Sequence, residues 1–210
     1  VGRPETDWAR RLAMENLGSG LSAAGHHEDA LSVKEAVLST ERRLGAPEGN
    51  LLVAQNNLAT TYSVLGRLEE TLRIRQDVYS GYVKLLGEEH EGTVHTAFNY
   101  ATALLDLRRF DEGKSLLRKV IPVARRVLGE VNESTLGMRS IYARTLYDDP
   151  AATLDDLREA VTMLEELERT ARRVLGGSHP ATGGIEGALR ESRAALVCDA
   201  MAAMAPPGDA

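Results

Sequence analysis

Aromatic side chains are scarce in this 210-residue chain, at 4%, with two Phe, one Trp and six Tyr. A core built on large rings is thereby disfavoured, and burial must come from many Leu, Val and Ala side chains in thin layers, which suits helix pairs better than a sandwich or barrel. A single cysteine, Cys198, leaves no partner for an internal disulfide. On its Ala-rich helical stretch it reads as a small buried hydrophobe in a reducing compartment. No run approaches the ~18 apolar residues needed to span a bilayer, and Val1-Gly2-Arg3-Pro4 does not open a charged-then-apolar signal peptide. The expectation is a cytoplasmic chain with no membrane partner. Positive charge is also in short supply: 25 Lys and Arg against 31 Asp and Glu leave a net charge of −6, which gives no general attraction to nucleic acid. With 43% hydrophobic residues the chain can still bury a core. Its start at Val1 rather than Met fits a processed product or an excised piece of something longer.

What the chain has is a period. Four Leu-Gly pairs each follow a basic residue at the same distance: Arg42-x-Leu44-Gly45, Lys84-x-Leu86-Gly87, Arg126-x-Leu128-Gly129 and Arg173-x-Leu175-Gly176. The first three glycines are 42 residues apart and the fourth follows after 47, a spacing that marks stacked supersecondary repeats. Each basic residue falls in a last helical turn, where a cation offsets the negative end of the helix dipole. Inside the second repeat Leu58, Tyr62 and Leu65 stand at i, i+4, i+7 before Gly66, and Tyr100, Leu104 and Leu107 repeat the triplet in the third. The first repeat has Leu17, Leu21 and Ala24 before Gly25.

This register predicts helices over 6–24, 28–44, 48–65, 68–86, 92–107, 110–128, 134–148, 151–175 and 182–204. The predicted organisation is four helical hairpins within 1–180, at about 6–45, 46–87, 88–129 and 130–176. A degenerate fifth repeat over 181–204 then acts as a capping helix, and 205–210 forms a flexible tail. In the longer fourth repeat, Asp149 as N-cap and Pro150 at the first helical position predict an early start for the second helix.

A Leu-Gly-x-x-His-Pro-x-Thr motif stands complete at Leu175 to Thr182 and partly at Leu86 to His90 with Thr93. An Asn-Asn-Leu-Ala-x-x-Tyr motif stands at Asn56 to Tyr62. With the period, these resemble the opening and core of the tetratricopeptide repeat family, in the 42-residue form of kinesin light chains and of sensor regions of bacterial nucleotide-binding regulators. The resemblance covers nearly residues 6–190. It implies an all-α, right-handed superhelical solenoid whose first helices line a concave groove that captures a peptide or helical segment of another protein.

The residues add a candidate site. Asn16, Asn57 and Asn99 recur in register, and Asn56, Thr60, Ser63 and Arg67 form a polar stripe beside the apolar one. An asparagine ladder can pair the backbone of an extended peptide, or each amide can merely bond a neighbouring helix. The remaining candidate groove positions are His95, Phe98, Thr102, Asp106, Arg144 and Tyr147. Phe98 reads either as an anchor for one apolar side chain of a ligand or as interhelix packing. Arg144 is the one inner cation this register places, which disfavours an acidic C-terminal tail as ligand.

Catalytic and metal chemistry find little support. Adjacent His26 and His27 point in different directions, and Glu28 and Asp29 suit a helix start without any metal. His90 and His179 occupy equivalent turn positions, which favours a structural role. No nucleophile motif and no phosphate-binding loop is present, so neither enzyme activity nor a cofactor is expected. The leading function is a non-catalytic protein-interaction scaffold. The alternative is an effector-sensing or regulatory module belonging to a multidomain NTPase or transcription regulator. The sequence does not fix the oligomeric state.

Overall fold

The computed structural model describes residues 4–204, and within them nine helices and no strand occur. They are α1 (Pro4–Ala23), α2 (His27–Arg43), α3 (Glu48–Val64), α4 (Leu68–Leu86), α5 (Glu91–Asp106), α6 (Phe110–Val127), α7 (Glu133–Tyr147), α8 (Leu154–Val174) and α9 (Pro180–Met204). The fold class is the all-α tetratricopeptide solenoid, built of antiparallel helical hairpins. The chain divides at Glu88 into two compact units, α1 to α4 and α5 to α9. The tail expected over 205–210 lies outside the described residues.

In the first unit α1 packs on α2, α2 on α3 and α3 on α4. Its core joins Leu31 and Leu38 of α2 to Ala54, Leu58 and Tyr62 of α3, so the apolar triplet of one hairpin rests on the second helix of the hairpin before it. Close approach of α3 and α4 depends on Gly81. A Cβ there would stand 2.5 Å from Leu52 Cδ2 and 3.0 Å from Cδ1.

In the second unit α5, α7 and α9 form one run of neighbours, with α6 and α8 packed beside them. Leu104, Leu117, Leu136, Met138, Leu146, Leu164 and Leu167 are all 0–1% exposed, which shows how small aliphatic layers replace the missing aromatics. Pro122 sits inside α6, which continues through it to Val127. The buried stripe of α9 runs through Ile185, Ala188, Leu189 and Ser192.

Helix ends follow the glycines. Gly25, Gly45, Gly66, Gly87, Gly129 and Gly176 all have positive φ. At Gly87 the pair φ 84°, ψ 167° belongs to a region essentially confined to glycine. Arg108, in the third repeat's counterpart of Gly66, takes φ 56° as the one non-glycine with positive φ among the described residues. Its guanidinium donates to the Asp148 carbonyl at 3.1 Å and lies 5.1 Å from the Phe110 ring centroid, contacts that offset the strain.

The start of α8 corrects the sequence reading. Helix does not begin at 151 under an Asp149 cap; Thr153 caps it through a reciprocal box. The Asp156 amide donates to Thr153 Oγ1 at 3.2 Å, and the Thr153 amide donates to Asp156 Oδ2 at 2.9 Å. Asp149 instead accepts from the Ala151 amide and from Lys114 Nζ at 2.7 Å, tying the loop to α6. Part of the extra length of the fourth repeat therefore enters the loop.

Cys198 is a second correction. It is exposed rather than buried, because it falls off the stripe that α9 turns inward.

Candidate functional site

In the second unit α5, α7 and α9 each start at a side-chain cap set by the turn before the helix. His90 Nδ1 accepts from the Gly92 amide at 3.0 Å, Asn132 Oδ1 from the Ser134 amide at 2.9 Å, and His179 Nδ1 from the Ala181 amide at 3.2 Å. The repeated histidines therefore act as acceptors for orphan helix donors, the task that Asn performs at the same place in the fourth repeat.

In the first unit the candidate face is held by Lys34. Its ammonium donates to Thr61 Oγ1 at 2.7 Å and to the Asn57 carbonyl at 3.4 Å, so α2 grips the backbone of α3 directly beneath the Asn-Asn motif. The stem passes close to Gly18 of α1, where a Cβ would stand 3.1 Å from Lys34 Cγ. Partial burial holds the ammonium below the usual lysine range. Around it Glu15, Ser19, Val37, Ala54 and Asn57 line a narrow cleft. Asn16, Asn57 and Thr60 are exposed and Asn56 is half-buried. Thr60 spends its hydroxyl on the Asn56 carbonyl at 3.1 Å. Sequence reasoning missed Lys34 because it sits on a second helix; only Gly18, the small residue it passes, hinted at a long side chain crossing there.

In the second unit the candidates divide by burial. His95 is half-exposed and joins α5 to α7 through Ser134 Oγ at 3.3 Å, with Glu91 at 3.4 Å from its other ring nitrogen. Phe98 packs on Gly137 of α7, where a Cβ would stand 2.9 Å from the ring tip. Thr102 donates to the Phe98 carbonyl at 3.0 Å, Asn99 is half-buried, and Asp106 is exposed. Arg144 is exposed and reaches Asp148 at 3.4 Å. Burial raises the Asp148 carboxyl above the usual range, and Arg144 works against that shift. Tyr147 is 8% exposed, and its hydroxyl donates to Glu191 of α9 at 3.0 Å. Its phenol is pushed well above its ordinary range, first by burial and then by the neighbouring carboxylates. The polar part of this face that reaches solvent is therefore the exposed Asp106 and Arg144 with the half-buried His95 and Thr102, while Phe98 and Tyr147 join helix to helix.

Among the described residues no group of three His, Cys, Asp or Glu side chains converges, and no helix is long and apolar enough to cross a membrane.

Residues 50–126 match the tetratricopeptide repeat family. Two crystal structures of a protein of Podosopora anserina, described as a kinesin light chain with nearly identical TPR-like repeats, superpose on the chain with TM-scores of 0.74 and 0.72. Each is 21% identical, over 93% of this chain and 90% of the other. BtubC (BKLC) from P. vanneervenii superposes with a TM-score of 0.66 at 16% identity, over 94% of this chain and 84% of that one. These likenesses establish the fold. A Clustered mitochondria protein homolog of Candida albicans is 23% identical over 149 residues, a match that spans 71% of this chain and 11% of that protein.

Proposed function

We propose that this chain, which carries tetratricopeptide repeats of the 42-residue kind, is a non-catalytic interaction scaffold that takes up a peptide or helical segment of another protein on the first helices of its hairpins. The observation that carries the reading is the exposed Asn57 beside the cleft of Glu15, Ser19 and Lys34. Lys34 already occupies the backbone there, so the helix is fixed while the amide faces outward with two donors and an acceptor. Repeat folds of this kind generally mediate protein association, and a rigid polar face next to small apolar patches suits a ligand bound mainly through its own backbone.

In the second unit His95, Thr102, Asp106 and Arg144 offer the same kind of surface with mixed charge. Mixed charge favours a ligand read by hydrogen bonds over one read by net charge. Tetratricopeptide repeats do not themselves call for a cofactor, and none is assigned.

A photo-reactive amino acid placed at position 57 or 102, and at 69 on α4 as comparison, tests the proposal in extract of the source cell. Crosslinks to the same protein from 57 and 102 but not from 69 are expected. Crosslinks from 69 alone would move recognition to the second helices and overturn it.

A further inference from the structure

The first hairpin breaks its own repeat at one pair, the buried Glu41 and the half-buried Arg11. The inward stripe of α2, Ala30-Val37-Glu41, has the spacing of Gly113-Val120-Ala124 in α6 and Ala160-Leu167-Ala171 in α8. Ala124 and Ala171 are 0% exposed, and Glu41 at the same place is 6% exposed. Across from it, six residues before Leu17, stands Arg11. The residues six before Leu58, Tyr100 and Tyr142 are Leu52, Val94 and Leu136, all buried. Positions that are apolar and buried in the third and fourth hairpins thus hold a charged pair in the first.

That charged pair is incomplete. Arg11 Nε lies 3.5 Å from Glu41 Oε1, and Glu41 Oε2 is buried with no hydrogen-bond partner in the protein. A carboxylate oxygen left so forfeits hydration without compensation, a cost that a ligand bearing a donor removes. Glu41 is one of the residues that line a cavity between α1 and α2, together with Met14, Val37 and the exposed Arg10 and Arg43.

We propose that this cavity is a binding site for a free aliphatic α-amino acid. Its ammonium donates to the Glu41 carboxylate, its own carboxylate meets the guanidinium groups of Arg10 and Arg43, and its side chain lies against Met14 and Val37. Both charges of the ligand are needed. A simple amine would meet three guanidinium groups with nothing to offer them, and a simple carboxylic acid would bring an anion toward Glu41 with no donor for it.

Calorimetric titration of the chain with L-leucine, L-leucinamide and N-acetyl-L-leucine decides the matter. Leucine should saturate one site below about 10 mM, and each analogue, lacking one charge, should bind at least about tenfold more weakly. Glu41→Gln should weaken leucine by about tenfold or more while preserving side-chain shape. No saturation by leucine, equal binding of all three compounds, or unchanged binding by Glu41→Gln would overturn the proposal. The three compounds on the unaltered chain give the answer even if Glu41→Gln fails to fold.

Discussion

Leu52 of α3 occupies the space that a side chain on Gly81 of α4 would need, its two methyl carbons 2.5 and 3.0 Å from the position of a Cβ there. Leu52 is 5% exposed and cannot swing into solvent. Gly81→Ala should therefore destabilise the chain by about 1–3 kcal/mol, despite the better helix propensity of alanine. Combining it with Leu52→Ala should cost less than the two single changes added together, since the smaller side chain makes room. Denaturant titration of the four proteins measures this, and strict additivity would show that the two residues do not compete for the space.

Gly87 calls for a different substitution. At φ 84°, ψ 167° a β-branched residue is strained although the space around it is open. Gly87→Val should cost about 1 kcal/mol or more, read as a lower denaturant midpoint, and an unchanged midpoint would contradict the turn geometry.

Acid should loosen the start of α8. Asp149 is held below the usual carboxylate range chiefly by its hydrogen bond from Lys114, and Asp156 chiefly by that from Thr153. A carboxyl with a lowered folded-state pKa stabilises the fold above its unfolded value and loses that contribution as pH falls through the folded one. Asp149→Asn and Asp156→Asn should thus be destabilising at pH 7, and the difference from the unaltered chain should shrink below about pH 4. A difference that stays constant down to pH 2 would contradict the assigned pairing.

Removing residues 182–210 deletes most of α9, whose Ile185, Ala188 and Leu189 are buried where α9 packs on α7 and α8. Leu164 and Leu167, both 0% exposed, lie on α8, and the truncated chain should self-associate as an apolar layer is uncovered. Light scattering that reports a monomer with an unchanged melting temperature would remove the capping role from α9.

The repeat itself was legible because period, helix-ending glycines and apolar triplets all report the same backbone geometry. Burial was less so. Leu17 shares the register of Leu58 yet is 53% exposed, because Leu58 owes its burial to Leu31 and Leu38 on the preceding helix, and α1 is the first described helix. The α8 start was misplaced because Asp149-Pro150 and Thr153-x-x-Asp156 are both helix-start signals, and the reciprocal hydrogen bonds of the second decide between them. Lys34 and the Arg11–Glu41 pair belong to contacts between helices, which local periodicity does not encode.

The most direct measurement is the affinity of a partner identified by crosslinking for four forms of the chain: unaltered, Asn57→Ala with Thr60→Ala, Thr102→Ala with Arg144→Ala, and Glu69→Ala. A lost hydrogen bond contributes about 0.5–1.5 kcal/mol between uncharged groups and about 1.5–3 kcal/mol where one is charged, so the double change on α3 should weaken binding roughly 5-fold to over 100-fold and that on α5 and α7 at least about 30-fold, with helicity nearly unchanged. Glu69→Ala, on the exposed side of a second helix, should leave it unaltered. Equal affinity for all four, or loss with Glu69→Ala alone, would contradict recognition by the first helices.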